Sequence, residues 1–201
     1  MKKIQLHPIT PQKRLMREVA NYLNRDALIL FPSDSGYTLG CSVHSKKALK
    51  RLYQLKKSEK KYQMSILFHD FSQISKFAHV DNRAFKYMKP LLPGPYTFLL
   101  PATHHGKKLL DVKRSEMGIR LPDSVFMQAI LEFFPDPMIT TTPRLDKGDS
   151  IQMIEDIDNF FLSQVDYVID FGEIVHQSST IVSLLNEEPE LIREGAGSLD
   201  F

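Results

Sequence analysis

The sequence predicts an α/β (α+β) protein in which helices pack on a twisted, open mixed sheet. Helix-type and strand-type patterns alternate along the chain, and this order favours a sheet covered by helices. The 201 residues are 42% hydrophobic and 25% charged, which is ordinary for a globular domain with a sizeable core. No internal repeat, low-complexity tract or long linker divides the chain. We therefore expect one domain over residues 1–201, with its core at about residues 10–197.

The strands are predicted from short apolar runs that are bounded by turn residues. Each run is shorter than a typical helix and too apolar to lie in solvent. The run at 27–31 ends at Pro32, so residues 31–41 are expected to form a loop rich in hydroxyl groups. In chain order the strands are expected at 27–31, 64–68, 96–101, 117–121 and 137–142, and within the stretches 166–170, 178–185 and 190–194.

The helices are predicted from amphipathic spacing behind a capping residue. Thr10 can cap the first helix, and Pro11 suits its first position. Residues 103–115 lack such a pattern and are expected to be a surface loop. In chain order the helices are expected over 11–24, from the Ser45 cap to Leu55, from the candidate caps Asp70, Asp81 and Asp123, and over 151–163.

Charge is distributed unevenly along the chain. Residues 1–61 contain 14 lysines and arginines against four acidic residues, whereas the remainder contains 12 against 20. The basic first third suggests an anionic partner, either a nucleotide or RNA. The same charges could equally be solvated helix faces.

Several classes of protein are disfavoured. No run approaches the about 20 apolar residues of a membrane helix, and the basic start is not followed by the apolar stretch of a secretory signal. The lone cysteine, Cys41, cannot form an internal disulfide and is expected to be a buried small residue. A reducing, cytoplasmic location is therefore expected.

Common cofactor signatures are absent. The sequence contains neither of the usual glycine-rich phosphate loops, no HExxH and no paired CxxC. His104 and His105 are adjacent, and sequence neighbours rarely ligate one metal together. We therefore expect no protein-held metal site.

Segments rich in hydroxyl groups, glycine and proline instead lie near predicted strand ends. Gly36 and Gly40 in the first of them allow close approach to a ligand. Arg120 lies inside an otherwise apolar strand, where a guanidinium needs an anionic partner or a wet cleft. The segments are FPSDSGYTLGC at 31–41, LKKSEKK at 55–61, PGPYT at 93–97, GIRLP at 118–122, ITTTPR at 139–144, SSTIV at 178–182 and LIREG at 191–195.

In this order the segments resemble the YrdC/YciO family, whose better-known members are threonylcarbamoyl-adenylate synthases. The family pattern P-T-[DE]-T-x-Y-G-L-G corresponds to 32–40, P-G-P-x-T to 93–97, S-T-[IV]-V to 179–182 and R-E-G to 193–195. Two departures from the family's motifs matter: Ser58 stands in place of the arginine of K-x-R, and Arg144 in place of the asparagine of S-x-N. The pattern looks most similar to the YciO branch.

The resemblance implies a YrdC/RibB-like fold with a concave basic cleft. It implies that ATP, as substrate and with Mg²⁺, is combined with L-threonine and bicarbonate to give threonylcarbamoyl-AMP and pyrophosphate for tRNA adenosine modification. Lys56, Arg120 and Arg193 would be the catalytic cations. Hydroxyls and cations that would bind the nucleotide are Ser179, Thr180, Thr142, Arg144 and Lys60, and those that would shape the amino-acid side are Ser33, Ser35, Tyr37 and Thr97.

Two other interpretations stay open at this point. One is a protein that binds tRNA or double-stranded RNA on a concave basic surface without synthase activity, since two nucleotide motifs are altered. The other keeps the adenylate pocket but changes the reaction, for instance to hydrolysis of a related carbamoyl compound. The sequence does not specify an oligomeric state.

Overall fold

The computed structural model describes residues 1–56, 64–110, 115–143, 152–157, 159–175 and 177–199. Within these ranges, strands and helices alternate as the sequence predicts. In chain order they are β1 (Lys2–Gln5), α1 (Lys13–Leu23), β2 (Ile29–Ser33), β3 (Gly36–Ser42), α2 (Lys46–Leu55), β4 (Ser65–Leu67), α3 (Phe71–Phe77), α4 (Asn82–Met88), β5 (Tyr96–Pro101), α5 (His104–Leu110), β6 (Glu116–Arg120), α6 (Val125–Ile130), β7 (Met138–Thr141), a 3₁₀ turn (Ile154–Asp156), α7 (Asn159–Ser163), β8 (Tyr167–Asp170), β9 (Thr180–Ser183) and β10 (Glu190–Arg193).

All the strands of the described ranges join one sheet, in the order β1-β8-β2-β3-β7-β4-β6-β5-β9-β10. The sheet is mixed: β1 and β2 both pair with β8 in parallel, as do β4 with β6 and β5 with β9. The remaining neighbours are antiparallel. The predicted fold class, an open mixed sheet with helices on it, is confirmed.

Side chains alternate between the two faces of the sheet. Ile66, Phe98 and Ile119 lie side by side in the strand register and pack with α2, α3 and α4 in one core. We call this side the packed face. Their chain neighbours Leu67, Thr97 and Arg120 lie on the opposite side, where α1 and α6 cover the region around β2. We call this second side the cleft face.

Three predicted helix caps are confirmed. Ser45 accepts a hydrogen bond from Ala48 N at 3.0 Å. Asp70 and Asp81 cap α3 and α4 in the same way. The predicted cap at Thr10 is wrong, because Gln12 precedes α1 and the Thr10 hydroxyl contacts the His7 ring instead.

Other boundaries differ from the predictions. The predicted loop at 31–41 is wrong: Pro32 lies inside β2, and residues 36–42 form β3, its hairpin partner. Proline is tolerated there because Pro32 comes near the end of the strand. The predicted loop at 103–115 is also wrong over 104–110, which form α5 behind a hydrogen bond from Gly106 N to Thr103 Oγ1.

Three further differences are smaller. Strand β1 was not predicted, because it is an edge strand whose residues are mostly exposed. The helix expected from Asp123 begins at Val125, after Ser124. The helix expected over 151–163 is described as a short 3₁₀ turn and α7, and residues 151 and 158 lie outside the described ranges.

The sheet is strongly curled. Arg120 in β6 forms an ion pair with Asp34 at the β2–β3 hairpin tip, although β4, β7 and β3 lie between their strands. In a flat sheet these strands would be roughly 19 Å apart, far more than one arginine side chain spans. The right-handed twist of successive strands therefore brings the two regions together over the cleft face.

No helix in the described ranges combines the length and the apolar character that crossing a bilayer requires.

Candidate functional site

A row of hydroxyl groups runs across the cleft face of the sheet. Strand register places its members on the same face of neighbouring strands. We call this set the hydroxyl row; in sheet order it comprises Ser33, Thr38, Thr140, Ser65, Thr97 and Ser179.

Neighbouring members of the hydroxyl row are hydrogen bonded in pairs. The Ser33 Oγ–Thr38 Oγ1 distance is 2.8 Å, and the Thr97 Oγ1–Ser179 Oγ distance is 2.9 Å. Ser65 and Thr140 are 3.3 Å apart. Because a hydroxyl can both donate and accept, each pair can rotate toward a ligand and exchange its partner.

Two glycines of the cleft face, Gly40 and Gly118, lie in close contact with threonines of the hydroxyl row. A Cβ at Gly40 would lie 2.9 Å from Thr140 Cγ2, and one at Gly118 would lie 3.2 Å from Thr97 Cγ2. A side chain at Gly40 would therefore clash with Thr140, and one at Gly118 would press on Thr97 of the hydroxyl row.

Arg120 closes one end of the cleft face. Its guanidinium is buried, donates to Ser35 Oγ at 2.9 Å and pairs with the Asp34 carboxylate. Burial raises the pKa of Asp34, while the charge of Arg120 opposes that effect. Arg120 Nε and Asp34 Oδ2 are buried without a hydrogen-bond partner in the described part of the chain. The predicted need of Arg120 for an anionic partner is thus met by Asp34.

Arg193 meets the row at its other end. Its Nε and Nη2 donate to the Ser179 carbonyl oxygen at 3.1 and 2.7 Å, and Nη2 lies 3.3 Å from Ser179 Oγ. Thr97 pairs with Ser179 and is next to Arg120 in the continued register of β5 and β6. A short path of contacts therefore connects the two arginines.

Lys56 approaches the cleft face from the end of α2. Its ammonium donates to the Thr142 carbonyl oxygen at 3.0 Å, and the side chain is buried. Thr142 directly follows β7, two residues after Thr140 of the hydroxyl row. This contact fixes a lysine beside the end of β7, the strand that carries Thr140.

Two of the predicted site residues lie on the packed face. The Tyr37 hydroxyl lies 3.0 Å from Asp170 Oδ1 and 2.8 Å from the Gly172 carbonyl oxygen, and it can donate to either. Burial raises the pKa of Tyr37. The Thr180 hydroxyl bonds Gly197 O at 2.6 Å and accepts from Gly195 N and Gly197 N, both at 3.0 Å. Both hydroxyls are engaged inside the protein.

Two predicted nucleotide-binding residues, Lys60 and Arg144, lie outside the described residues, as does the altered Ser58. Ser33, Ser35, Thr97, Thr142 and Ser179 lie at or beside the cleft face as described above.

Sequence reasoning missed three members of the row: Thr38, Ser65 and Thr140. The signal was present in the alternation Tyr-Thr-Leu-Gly-Cys-Ser at 37–42, which is typical of a strand with one polar face. Reading that segment as a loop hid which hydroxyls share a face.

A small pocket of about 210 Å³ lies beside the hairpin tip. None of Lys56, Arg120 and Arg193 lines it. Its walls are Pro8, Pro32, Ser33, Asp34, Asp123, Ser124, Val125, Phe171 and Ile174.

The described residues contain neither a candidate metal-binding cluster nor an activated cysteine. Within those ranges, no group of three or more His, Cys, Asp and Glu side chains is placed to hold a metal ion. Cys41 is buried, as expected, and burial raises the pKa of its thiol to about 12. A thiol so rarely ionised is a poor nucleophile.

Comparison with known proteins gives a consistent result over nearly the whole chain. The sequence profile of the Sua5/YciO/YrdC family, described as "Telomere recombination", matches residues 21–195. The uncharacterised protein YciO of Escherichia coli K12 is 33% identical over 196 residues, which cover 96% of this chain and 95% of YciO. The crystal structure of E. coli YciO covers 100% of this chain and 98% of its own, with a TM-score of 0.89 and 32% identity.

Relatives with named activities are more distant. A putative threonylcarbamoyl-AMP synthase of Methanocaldococcus jannaschii is 28% identical over 197 residues, covering 96% of this chain and 92% of its own length. The crystal structure of P. abyssi Sua5 complexed with L-threonine has a TM-score of 0.86 and 21% identity. It covers 97% of this chain, which spans 58% of that Sua5 chain and shares its fold.

Proposed function

Since this chain belongs to the Sua5/YciO/YrdC family, we propose that its cleft face binds ATP and L-threonine and forms threonylcarbamoyl-AMP. The observation that carries the proposal is the hydroxyl row together with three fixed cations: Arg120 beside the hairpin tip, Arg193 beside Ser179 and Lys56 beside Thr142. Relatives named threonylcarbamoyl-AMP synthase support the reaction type. The threonine bound in P. abyssi Sua5 supports the amino-acid substrate.

The amino acid would bind at the Arg120 end of the row. Arg120 is charged at any physiological pH, and its Nε, which has no hydrogen-bond partner among the described residues, offers a donor that Asp34 and Ser35 leave unused. Such a donor suits the threonine carboxylate, because charge-assisted bonds to guanidinium are strong and directional. Hydroxyls of Ser35 and Thr97 would complete the contacts, with Asp34 holding Arg120 in position.

The triphosphate would bind between Arg193, beside Ser179, and Lys56, beside Thr142. Both cations are already fixed by carbonyl oxygens, those of Ser179 and Thr142. Fixed cations stabilise the developing charge without reorganising during the reaction. In this proposal Ser179 and Thr142 donate to phosphate oxygens, whereas Tyr37 and Thr180 hold the walls of the site.

The reaction would proceed in two steps. Bicarbonate first separates into CO₂ and hydroxide. The threonine amine attacks the CO₂ carbon, a carbon–nitrogen bond forms as one carbon–oxygen π bond opens onto oxygen, and hydroxide takes the amine proton to leave a carbamate and water. A carbamate oxygen then attacks the α-phosphorus, and the bond from that phosphorus to the bridging oxygen breaks to release pyrophosphate. Because the carbamate and the α-phosphate are both anionic, the protein contributes by aligning them and by supplying positive charge.

In this proposal Mg²⁺ is bound by the phosphates of ATP and not by a metal site of the protein. The described residues provide no cluster of three or more ligands for it, so Mg²⁺ would arrive on the triphosphate. Each contribution that we assign to the protein is made by Lys56, Arg120, Arg193 and the hydroxyl row.

The test is direct synthesis. The protein is incubated with ATP, bicarbonate, L-threonine and Mg²⁺, and both pyrophosphate and the adenylate are measured. We expect the two products in equal amounts and only when threonine and bicarbonate are both present. Pyrophosphate without adenylate would indicate a different reaction in the same cleft, and neither product at high protein concentration would contradict the proposal.

A further inference from the structure

The small pocket beside the hairpin tip has no role in the reaction proposed for the cleft. Its volume of about 210 Å³ is below the roughly 300–1,000 Å³ of pockets for drug-sized molecules. Its described wall residues include none of Lys56, Arg120 and Arg193, and Ser33 is the one member of the hydroxyl row among them. A ligand of this pocket is therefore small and lies beside the cleft.

The pocket lies at the carboxyl edge of three parallel strands. Both β1 and β2 pair with β8 in parallel, so the segments that follow these strands emerge at the same edge of the sheet. Pro8 follows β1, Asp34 follows β2 and Phe171 follows β8, and all three residues line the pocket. In open sheets with helices on them, ligands bind in the crevice outside the carboxyl ends of such strands. The topology therefore favours a ligand site here.

Hydrogen bonds fix two of the walls. Phe171 N donates to the Tyr37 hydroxyl at 3.1 Å. The loop that carries Pro8 is closed by a hydrogen bond from Thr10 N to His7 Nδ1 at 3.1 Å. Walls that are fixed before binding lose little conformational freedom when a ligand enters, which favours affinity for a small molecule.

Asp34 contributes a buried carboxylate to the wall. Its side chain is 7% exposed, and one oxygen, Oδ1, pairs with Arg120. The other oxygen, Oδ2, is buried and has no hydrogen-bond partner among the described residues. Because a buried acceptor without a donor is costly, a ligand that donates a hydrogen bond to Oδ2 removes that cost.

The charges of the wall determine the sign of the ligand's charge. Asp123 adds a second, exposed carboxylate, one oxygen of which accepts from Gln128 Nε2 at 3.2 Å. Arg120 balances the charge of Asp34, and no lysine, arginine or histidine is among the described wall residues. The carboxylates would repel an anion and attract a cation. A metal ion is disfavoured, because the described residues contain no group of three or more side chains placed to hold one.

Apolar side chains surround the two carboxylates. Phe171 and Ile174 line the pocket together with Val125, which is 39% exposed. Ile9 and Val175, which directly follow the wall residues of two loops, are also exposed. Exposed apolar side chains that cluster at a cavity are typical of a ligand site, and an aromatic ring attracts a cation placed over its face. The ligand thus combines a positive charge with an apolar body.

We propose that this pocket binds a small aliphatic amine, with its protonated amino group on Asp34 Oδ2 and its carbon chain against Phe171, Ile174 and Val125. An ammonium group carries three donors and no acceptor, which matches a wall whose charged groups are carboxylates. A chain of about four carbons suits a pocket whose volume equals that of roughly seven water molecules. The proposal does not depend on the reaction in the cleft.

Isothermal titration calorimetry with n-butylammonium chloride tests the pocket, and 1-butanol and butyrate serve as neutral and anionic probes of similar shape. We expect saturable binding of one amine per chain, at least about tenfold tighter than binding of the alcohol, because hydrogen bonds between charged groups are the stronger ones. Butyrate should not bind. Equal affinities for the amine and the alcohol, or no saturable binding of the amine, would overturn the proposal.

Two variants locate the amine in the pocket. Asp34→Asn removes the charge and keeps the shape, so the affinity for the amine should fall at least about tenfold while that for 1-butanol changes little. Because Asp34 also holds Arg120, the second variant leaves the carboxylate intact. Val125→Trp places a large ring in the wall and should weaken binding of amine and alcohol alike, by about tenfold or more.

Leu185→Trp is the matched control for Val125→Trp. Leu185 is 37% exposed and lies directly after β9, at the opposite end of the sheet from β1, β8 and β2. We expect L185W to bind the amine as the wild type does, and both tryptophan variants to keep the wild-type unfolding temperature, since both positions are partly exposed. Equal amine affinities of folded V125W and L185W would place the amine elsewhere and overturn the proposal.

Competition separates this pocket from the cleft and from a protein partner. L-Threonine should not displace the amine, because its carboxylate would then lie beside Asp34 and Asp123; displacement by threonine would make the pocket part of the cleft and overturn the proposal. Binding of a lysine-containing peptide without binding of free butylammonium would assign the site to a protein and also overturn it. Amine binding is measured without ATP, so its failure leaves the proposed synthesis untouched, and a failure of synthesis leaves the pocket untouched.

Discussion

The two faces of the central sheet use the same strands for opposite purposes. On the packed face, β5 and β6 contribute Phe98 and Ile119, both completely buried. On the cleft face the adjacent residues of the same strands are Thr97 and Arg120. Along each strand, alternate residues therefore pack in the core or line the candidate site, and each residue does only one of the two.

Burial alone does not distinguish the two faces of the sheet. Thr140 and Thr97 are nearly as inaccessible as the core residues opposite them. What differs is the way their polar atoms are satisfied: members of the hydroxyl row mostly bond one another. On the packed face, by contrast, the Thr180 hydroxyl bonds backbone groups of Gly195 and Gly197, and the Tyr37 hydroxyl bonds Asp170 and the Gly172 carbonyl oxygen.

The largest effect is expected from breaking the buried ion pair on the cleft face. Arg120→Met would leave the Asp34 carboxylate buried without its partner, which costs about 3–5 kcal/mol in the free energy of unfolding. Urea denaturation measures this loss. The double variant R120M/D34N should recover most of the stability, since neither residue is then charged, but should form no adenylate.

If R120M proved as stable as the wild type, the Asp34–Arg120 pair would not hold the hairpin tip over the sheet. If the double variant formed adenylate at the wild-type rate, Arg120 would have no part in the reaction.

Neighbouring substitutions on opposite faces should separate stability from activity. Phe98→Ala removes a completely buried ring and should cost about 3–5 kcal/mol of unfolding free energy. Thr97→Val keeps the volume but deprives Ser179 of its hydroxyl partner, at a cost of about 1 kcal/mol. Only T97V should impair adenylate formation in protein that remains folded, and chemical denaturation with product assays measures both quantities.

Similar losses of stability from F98A and T97V, with activity tracking the folded fraction in each, would erase the distinction between the faces.

The smallest effect comes from the adjacent hydroxyls of β9. Thr180→Val should cost about 1–3 kcal/mol, because it leaves backbone groups of residues 195 and 197 unsatisfied. Ser179→Ala should change stability less but slow adenylate formation about tenfold, if its hydroxyl contributes about 1.4 kcal/mol in the transition state. Thermal unfolding and initial rates distinguish the two variants. The reverse pattern would assign the ligand to the packed face.

Much of the fold was predictable from local signals. Buried runs such as 96–101 and capping residues such as Ser45 depend on neighbours in sequence, so their patterns predicted the elements correctly. The edge strand β1 was missed because its partner, β8, lies more than 160 residues away and its own residues are exposed.

The site was less predictable because its members meet through tertiary pairing. Sequence pattern singled out Arg120 as a guanidinium needing an anion, but nothing local indicated that Asp34 would supply it from across the curled sheet. Whether Ser179 or Thr180 faces the cleft depends on the register of β9 against β5, and a motif containing both cannot decide between them.

The position of β8 constrains synthesis on the ribosome. This strand inserts between β1 and β2, pairing Tyr167 with both Lys2 and Ile29. During translation, β1 and one edge of β2 therefore lack their strand partner until about five-sixths of the polypeptide has been made. Such long-range closure slows folding and leaves nascent chains prone to mispairing, so this protein should depend more on chaperones during its synthesis than its modest size suggests.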